Sequence, residues 1–156
     1  DCDLRWPSVH KVFQLPNNEG LTNLLANHVG KGGDDHLRVS EVEGLSILTG
    51  GPVPPNPAEI LSSNRMKQLE KDTAERFDLV IYDTPPLLGF TDAQILSGRV
   101  DGNIFVVHYE EDTKEDVLKA SDSLKMVNAN VLGVVYNRAP GGQKEHSYYY
   151  GYKDEE

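Results

Sequence analysis

Acidic residues stand at two places in the sequence where their carboxylates could serve phosphate chemistry. Asp1 and Asp3 lie in the first segment, DCDLR, together with Arg5, and Asp83 opens the segment DTPP directly after an apolar run. An aspartate that leaves a rigid strand is well placed to hold Mg²⁺ beside the phosphates of a nucleotide. An aspartate after a strand is also typical of a turn or a helix cap, so each position alone supports both interpretations.

Asn137 and Arg138 form a third polar site, directly after the apolar run that ends at Tyr136. A neutral asparagine side chain suits hydrogen bonding to the edge of a purine. In open α/β sheets, ligands bind beyond the carboxyl ends of the strands. The joint placement of all three polar sites at such ends therefore favours a nucleotide site.

Short apolar runs rich in Val, Ile and aromatic residues predict strands covered on both faces, as in a parallel sheet. They occupy residues 45–48 (LSIL), 77–82 (FDLVIY), 103–109 (NIFVVHY) and 131–136 (VLGVVY). Helical patterns occupy residues 20–28, 57–76, 91–96 and 113–127. Asn56 and Thr113 are the predicted N-caps of two of these helices, and Pro57 takes a first helical position. Strands that alternate with helices predict an α/β fold with an open, mainly parallel sheet and flanking helices.

Length and charge narrow the classes of protein further. The 156 residues suffice for one domain with its own core, which we place at residues 1–140. The glycine-rich residues 30–35 (GKGGDD) are predicted to form an exposed loop, and residues 141–156 a flexible tyrosine-rich tail. A net charge of −10 argues against a nucleic acid partner, because an acidic surface repels nucleic acid.

Cysteine content and hydropathy indicate a cytoplasmic protein. The single cysteine cannot form an internal disulfide, which suits a reducing compartment. No apolar run approaches the roughly 20 residues that a membrane-spanning helix needs.

Several segments, taken in order, resemble one protein family. They are DCDLRWP, GLSILTGGPVPPNPAEILSS, FDLVIYDTPP, TDAQIL and VLGVVYNR. Together they resemble the bacterial tyrosine kinases (BY-kinases), a branch of the deviant-Walker P-loop ATPases, over residues 1–138. The resemblance implies a P-loop NTPase-like fold and an ATP-dependent protein-tyrosine autokinase that regulates capsular and exopolysaccharide synthesis and export, with ATP and Mg²⁺ as its cofactors.

The same resemblance implies catalytic roles for the acidic residues. Asp1 and Asp3 fall on the family's A′ motif, in which one aspartate works with Mg²⁺ and helps to activate the attacking tyrosine hydroxyl. Arg5 belongs to that motif. Asp83 matches the Walker B aspartate that supports the metal, so the implied metal ligands are Asp1 and Asp83.

Two further sets of residues match binding and acceptor positions of the family. Asn137 and Arg138 fall where the family contacts the adenine. The tail tyrosines match residues that a neighbouring subunit phosphorylates, and they are Tyr148, Tyr149, Tyr150 and Tyr152. Tyrosine-rich tails can also be adhesive segments without a catalytic role, but the upstream motifs favour a phosphate-accepting tail.

The phosphate-binding loop of the family is missing from this sequence. No G-x-x-x-x-G-K-[ST] occurs, and neither residues 30–33 (GKGG) nor residues 141–144 (GGQK) place Ser or Thr after the lysine. In the family this loop lies upstream of the A′ motif, after a central strand. We therefore expect the chain to be the C-terminal part of a longer kinase, with negligible ATP affinity and reduced stability on its own.

The resemblance implies two partners for the intact protein. One is a second copy of itself, in a ring that places one subunit's tail near the next subunit's site. The other is the cytoplasmic segment of a membrane polysaccharide co-polymerase, which would hold the protein at the inner face of the membrane, unless an N-terminal extension does so.

Two alternatives remain open. Without a phosphate loop, the chain could be a non-catalytic interaction or phospho-acceptor module. It could also belong to a deviant-Walker ATPase that positions cell structures, although the tyrosine-rich tail and the PPNPAEIL segment argue against this.

Overall fold

The computed structural model describes residues 1–26 and 36–140 of the chain. The helices are α1 (Val9–Val12), α2 (Leu21–Ala26), α3 (Pro57–Ser62), α4 (Asn64–Arg76), α5 (Asp92–Ser97) and α6 (Lys114–Met126). The strands are β1 (Arg38–Val39), β2 (Ser46–Ile47), β3 (Asn103–His108) and β4 (Val131–Asn137). This order confirms the predicted α/β class. The loop predicted at residues 30–35 and the tail predicted at residues 141–156 lie outside the described residues.

Strands β3 and β4 form the parallel pair of the fold. Asn103 is opposite Val131 and His108 is opposite Asn137, with α6 as the connection between the strands. The predictions for residues 103–109 and 131–136 are therefore confirmed to within one residue. Both strands end at the same edge, which brings Asn137 to the carboxyl end of the pair.

A capping box fixes the start of α6. The Thr113 hydroxyl accepts a hydrogen bond from the Asp116 amide at 3.2 Å, and the Asp116 carboxylate accepts from the Thr113 amide at 3.3 Å. These bonds satisfy backbone donors that the first turn of a helix leaves free. The hydrogen bond from the Thr113 hydroxyl also lowers the pKa of the Asp116 carboxyl. The predicted cap at Thr113 is confirmed.

The helix predicted over residues 57–76 is two helices, and the prediction of one is wrong. Ser63 adopts an extended conformation (φ −63°, ψ 154°) that interrupts the helix, and its hydroxyl accepts a hydrogen bond from the Met66 amide at 3.2 Å. Ser63 therefore serves as the N-cap of α4. Pro57 does occupy the first turn of α3, but the Asn56 side chain makes no capping bond and instead donates to the Glu59 carboxylate.

Two apolar runs differ from the predicted parallel, buried strands. Residues 46–47 pair with β1 in antiparallel orientation, and residues 77–82 form no strand within the described part of the chain. The Asp1 nitrogen donates to the Leu48 carbonyl at 2.8 Å, and the Cys2 amide donates to the Asp83 carbonyl at 2.7 Å. The start of the chain thus lies between the ends of these two runs, and no described strand pairs with residues 77–82 along their length.

The predicted coverage of strands on both faces is also wrong. Leu79 and Ile81 are 75% and 78% exposed, and every residue of β4 is exposed. Burial requires a helix or a strand against each face. The hydrophobic core lies elsewhere, among the helices and the first segment of the chain.

That core lies directly beneath residues 1–6 (DCDLRW), which we call the acidic segment. Its buried members come from the first segment and from α2 to α5, and they are Cys2, Leu4, Leu21, Leu25, Leu61, Met66 and Leu96. In the first segment, buried Cys2 and Leu4 alternate with partly exposed Asp1, Asp3 and Arg5. This alternation is typical of extended chain, in which successive side chains point to opposite faces. Core packing therefore directs the charged side chains away from the interior.

Helices α2 and α5 agree with the predictions for residues 20–28 and 91–96 to within a residue or two, with residues 27–28 outside the described part. Among the described helices, none combines the length and apolar character needed to cross a bilayer.

Candidate active site

One backbone hydrogen bond brings the acidic segment to the DTPP segment. The bond from the Cys2 amide to the Asp83 carbonyl measures 2.7 Å, so Asp1 and Asp3 flank a residue that is tied directly to Asp83. The prediction that these aspartates share one edge of the fold agrees with this geometry. Because the link joins backbone atoms, it does not depend on the identity or charge of the aspartate side chains.

The Asp1 carboxylate organises the chain that follows it. One oxygen, Oδ1, accepts a hydrogen bond from the Asp3 amide at 3.1 Å. The other, Oδ2, accepts from the amides of Ser8 and Val9 at 3.0 and 3.1 Å, at the start of α1. These backbone donors fix the direction of the carboxylate.

The Asp3 carboxylate repeats this arrangement two residues later. Its Oδ1 atom accepts hydrogen bonds from the amides of Arg5 and Trp6 at 3.1 and 2.9 Å. Among the described residues, no hydrogen bond to its second oxygen is found. Asp3 is therefore held by one oxygen and retains acceptor capacity on the other.

Partial burial raises the pKa of the Asp83 carboxyl above its ordinary value. Although the residue is exposed overall, atoms packed around the carboxyl remove part of its hydration. The negative charge of Asp3 also raises this pKa.

Arg5 points to a residue that was not predicted as part of the site. Its guanidinium Nε donates to Asp92 Oδ2 at 2.7 Å, and Nη2 donates to Asp92 Oδ1 at 3.2 Å. The Arg5 guanidinium also lies 4.1 Å from the centre of the Phe90 ring. The sequence contained a signal, since Asp92 belongs to the TDAQIL segment, but an aspartate at the start of a helix is equally typical of a favourable charge at a helix N-terminus.

Asn137 and Arg138 lie at the carboxyl end of β4, as predicted. The Asn137 side chain accepts a hydrogen bond from the Arg138 amide at 2.9 Å, and Arg138 has a positive φ of 58°. The Arg138 guanidinium donates to the Glu111 carboxylate at 2.5 Å. Within the described residues, no hydrogen bond or ion pair connects this end of β4 to the carboxylates of Asp1, Asp3 or Asp83.

The predicted phospho-acceptors are the tyrosines of the tail. Tyr148, Tyr149, Tyr150 and Tyr152 lie outside the described residues.

The donor set fits a cation of the magnesium type that is shared with phosphates. In the described part of the chain, no group of three or more His, Cys, Asp or Glu side chains could enclose a metal ion. Mg²⁺ usually binds through one or two carboxylates, several waters and substrate phosphates, so it needs no such cage. Asp83 and Asp1, which lie in segments linked by a backbone hydrogen bond, are two carboxylates of the type such an ion binds.

Comparison with known proteins gives a consistent result. No family model matches the chain. The chain is 40% identical over 154 residues to the tyrosine-protein kinase YwqD of Bacillus subtilis (strain 168), covering 99% of this chain and 64% of YwqD. It is 37% identical over 155 residues to CapB of Staphylococcus aureus, which also carries a tyrosine-protein kinase name, covering 99% of this chain and 67% of CapB.

The fold comparison agrees with the sequence comparison. The kinase domain of the Escherichia coli tyrosine kinase ETK superposes with a TM-score of 0.84 at 31% identity, covering 99% of this chain and 59% of that domain. The chain spans about two thirds of the length of the curated relatives YwqD and CapB. Asp1, Asp3 and Asp83, whose segments the fold brings together, lie in the segments that resemble the A′ and Walker B motifs. The chain belongs to the bacterial tyrosine kinase family, the BY-kinases.

Proposed function

We propose that the protein carrying this chain is an ATP-dependent protein-tyrosine autokinase that regulates capsular and exopolysaccharide synthesis and export. This chain supplies the C-terminal part of the catalytic domain. The observation that carries the proposal is the backbone hydrogen bond from Cys2 to Asp83, which joins the acidic segment to the DTPP segment. The kinase names of YwqD and CapB support tyrosine as the phosphate acceptor.

Phosphoryl transfer requires mainly positioning and neutralisation of charge. Mg²⁺, when bound, neutralises the phosphates, and Asp83 and Asp1 are the residues that would hold it, directly or through water. Asp3 keeps an acceptor oxygen for the proton of a tyrosine hydroxyl. That hydroxyl has an ordinary pKa near 10 and needs a base or a metal to lose its proton.

The end of β4 is the proposed adenine site. Asn137 offers a neutral side chain for the purine edge, and the ion pair with Glu111 holds Arg138 beside it. The tail tyrosines, Tyr148, Tyr149, Tyr150 and Tyr152, are the proposed acceptors. In a closed ring of subunits, each tail would reach the site of a neighbour.

In this proposal, the phosphate loop is supplied by a segment upstream of Asp1. A cavity found among the described residues does not replace this loop, because none of the predicted site residues lines it. Its volume is about 140 Å³, and its lining residues are Leu25, Asn56, Glu59, Ile60 and Ser63. Without the backbone donors and lysine of a phosphate loop, we expect these 156 residues alone to bind ATP negligibly. The intact protein would act at the inner face of the membrane, held there and activated by the cytoplasmic segment of a polysaccharide co-polymerase, or held there by an N-terminal region of its own.

A second candidate function follows from the same missing loop. If the native chain begins near Asp1, it is a non-catalytic module that accepts phosphate from, or assembles with, an intact kinase. The absence of G-x-x-x-x-G-K-[ST] from the sequence is the observation that favours this candidate.

One experiment tests both candidates. The protein is isolated from its own cells, its N-terminus is read by mass spectrometry, and the purified full-length protein is then incubated with ATP and Mg²⁺ and examined for phosphotyrosine. We expect a longer N-terminus with a phosphate loop, and phosphate on residues 148–152. Asp3→Asn and Asp83→Asn should abolish this phosphorylation.

Asp78→Asn is the matched control, because Asp78 is an exposed aspartate in the same segment as Asp83 but is not part of the site. It should leave phosphorylation unchanged. A native N-terminus near Asp1 with unmodified tyrosines would reject the kinase proposal and support the non-catalytic module.

A further inference from the structure

The Arg5–Asp92 ion pair joins two parts of the chain that are distant in sequence. The contact is bidentate, with nitrogen–oxygen distances of 2.7 and 3.2 Å. A planar guanidinium that meets both oxygens of a carboxylate fixes orientation as well as distance. Hydrogen bonding to Asp92 also raises the pKa of Arg5, so its charge is permanent.

Burial of Asp92 makes its ion pair with Arg5 a strong constraint on the position of the Arg5 side chain. The Asp92 side chain is 0% exposed, and the Arg5 side chain is 27% exposed. A buried carboxylate without a partner is strongly destabilising, so Asp92 constrains where the Arg5 guanidinium can lie. An exposed ion pair would impose little constraint of this kind.

Aromatic contacts strengthen the same connection. The Arg5 guanidinium lies over the Phe90 ring, and the Trp6 ring meets the Phe90 ring edge-on, with centroids 5.5 Å apart and an interplanar angle of 63°. Two consecutive residues of the acidic segment are therefore attached to residues 90–92 by an ion pair, a cation–π contact and an aromatic pair.

The attached residues are also those that hold Asp3. The amides of Arg5 and Trp6 donate to Asp3 Oδ1 at 3.1 and 2.9 Å. A continuous series of contacts thus runs from the buried Asp92 carboxylate, through Arg5 and Trp6, to the Asp3 carboxylate. If Arg5 were free to move, the two donors that orient Asp3 would move with it.

We propose that Asp92 is a positioning residue of the phosphotransfer site, which orients Asp3 by anchoring Arg5. Arg5 then serves the reaction through this anchor, because two of its donor nitrogens already engage Asp92. The effect on catalysis rests on the kinase function proposed above, whereas the effect on the geometry of Asp3 does not.

The test uses the full-length protein with Asp92→Asn, Arg5→Gln and the double variant. Hydrogen exchange at the amides of Arg5 and Trp6 reports the orientation of Asp3 directly. We expect each single variant to speed this exchange about tenfold or more, because the amides lose a fixed acceptor. The kcat for tyrosine phosphorylation should fall about 10- to 100-fold, with the KM for ATP changed less than about threefold.

The double variant separates positioning from general stability. Removing both partners leaves no unpaired buried charge, so the Tm should recover toward that of the wild type. The kcat should stay low and the exchange at residues 5 and 6 fast, because the anchor is still absent. Recovery of kcat together with Tm would overturn the proposal.

A second ion pair provides the matched control. Arg99 and Glu70 approach to 2.8 Å with side chains only 21% and 17% exposed, and they join α4 to the residues after α5. Glu70→Gln removes one partner of this pair and should leave kcat within about twofold, because among the described residues no hydrogen bond or ion pair links either partner to Asp3. An equal loss of kcat in both variants would also overturn the proposal. If the wild-type protein phosphorylates no tyrosine, the kinase function fails, and the exchange rates alone decide whether Asp92 orients Asp3.

Discussion

The backbone amide of Cys2 donates a 2.7 Å hydrogen bond to the backbone carbonyl of Asp83. Since side chains take no part in this bond, aspartates near it can be changed without removing the contact that sets their spacing. At Asp83, the charge of the side chain can therefore be changed while this backbone contact is kept.

Asp83→Asn should stabilise the metal-free protein at neutral pH. Partial burial raises the pKa of Asp83, so folding disfavours its ionised form. Its contribution to stability is fully present below the unfolded value of 3.8 and is lost as pH rises through the higher folded value. Thermal unfolding should show a Tm about 1 to 3 °C above that of the wild type at pH 7.

The gain in Tm of Asp83→Asn should disappear below the unfolded pKa of 3.8, where the Asp83 carboxyl is protonated and therefore as neutral as the asparagine that replaces it. Asp78→Asn, in an exposed position of the same segment, should change the Tm little at either pH. A lower Tm for Asp83→Asn at neutral pH would contradict the prediction.

Thr113→Ala should lower the free energy of unfolding by about 1 kcal/mol, because it removes the N-cap of α6. Urea titration of the full-length protein measures this. Ser123→Ala in the same helix is the control: the Ser123 hydroxyl donates only to the Lys119 carbonyl within the helix, so its loss should cost little.

The cost of Thr113→Ala should also depend on pH. Hydrogen bonds from Thr113 lower the pKa of Asp116, so this contribution is present above the unfolded pKa and is lost as pH falls through the folded one. The difference in free energy of unfolding between Thr113→Ala and the wild type should therefore become smaller in acid. A constant difference would show that Asp116 takes no part in the cap.

Leu61→Ala should cost about 2 to 5 kcal/mol, because Leu61 is fully buried in the core beneath the acidic segment. Leu118→Ala, at a position that is 56% exposed, should cost well below about 1 kcal/mol. Chemical denaturation of both variants tests the location of the core. Similar costs for the two would show that residues of α6 are buried by parts of the protein beyond those described.

The 156 residues on their own should bind ATP no more tightly than a Kd of about 1 mM, since they contain no phosphate loop. Isothermal titration with Mg²⁺ and ATP provides the measurement, and the full-length protein serves as the positive control. Micromolar affinity of the isolated residues would refute the assignment of phosphate binding to an upstream segment.

The proximity of the acidic segment to the DTPP segment agrees with the sequence pattern, whereas the catalytic roles of these aspartates stay predictions. The alternation D-C-D-L-R fixes which side chains are buried, and Asp83 follows directly on an apolar run. The strands at residues 103–108 and 131–137 were also predictable, since they pair with each other and α6 connects them.

Features that depend on distant partners were not predictable in this way. Residues 77–82 have the composition of a buried strand, yet the described chain provides no strand beside them and Leu79 remains exposed. The break at Ser63 depends on one serine that is as compatible with a helix as with a cap. Asp92 could not be assigned to the site because its partner, Arg5, is 87 residues away in the sequence.

The buried thiol of Cys2 provides an intrinsic chemical probe for movement of the segment that carries Asp1 and Asp3. Cys2 is the one cysteine of these 156 residues, and burial raises its pKa from 9.0 to about 11. At neutral pH the reactive thiolate is thus roughly a hundredfold scarcer than for an unperturbed thiol, and reagents reach it only when the segment opens. Alkylation rates at this position, compared with and without nucleotide, would report how often the two flanking carboxylates leave the arrangement described here.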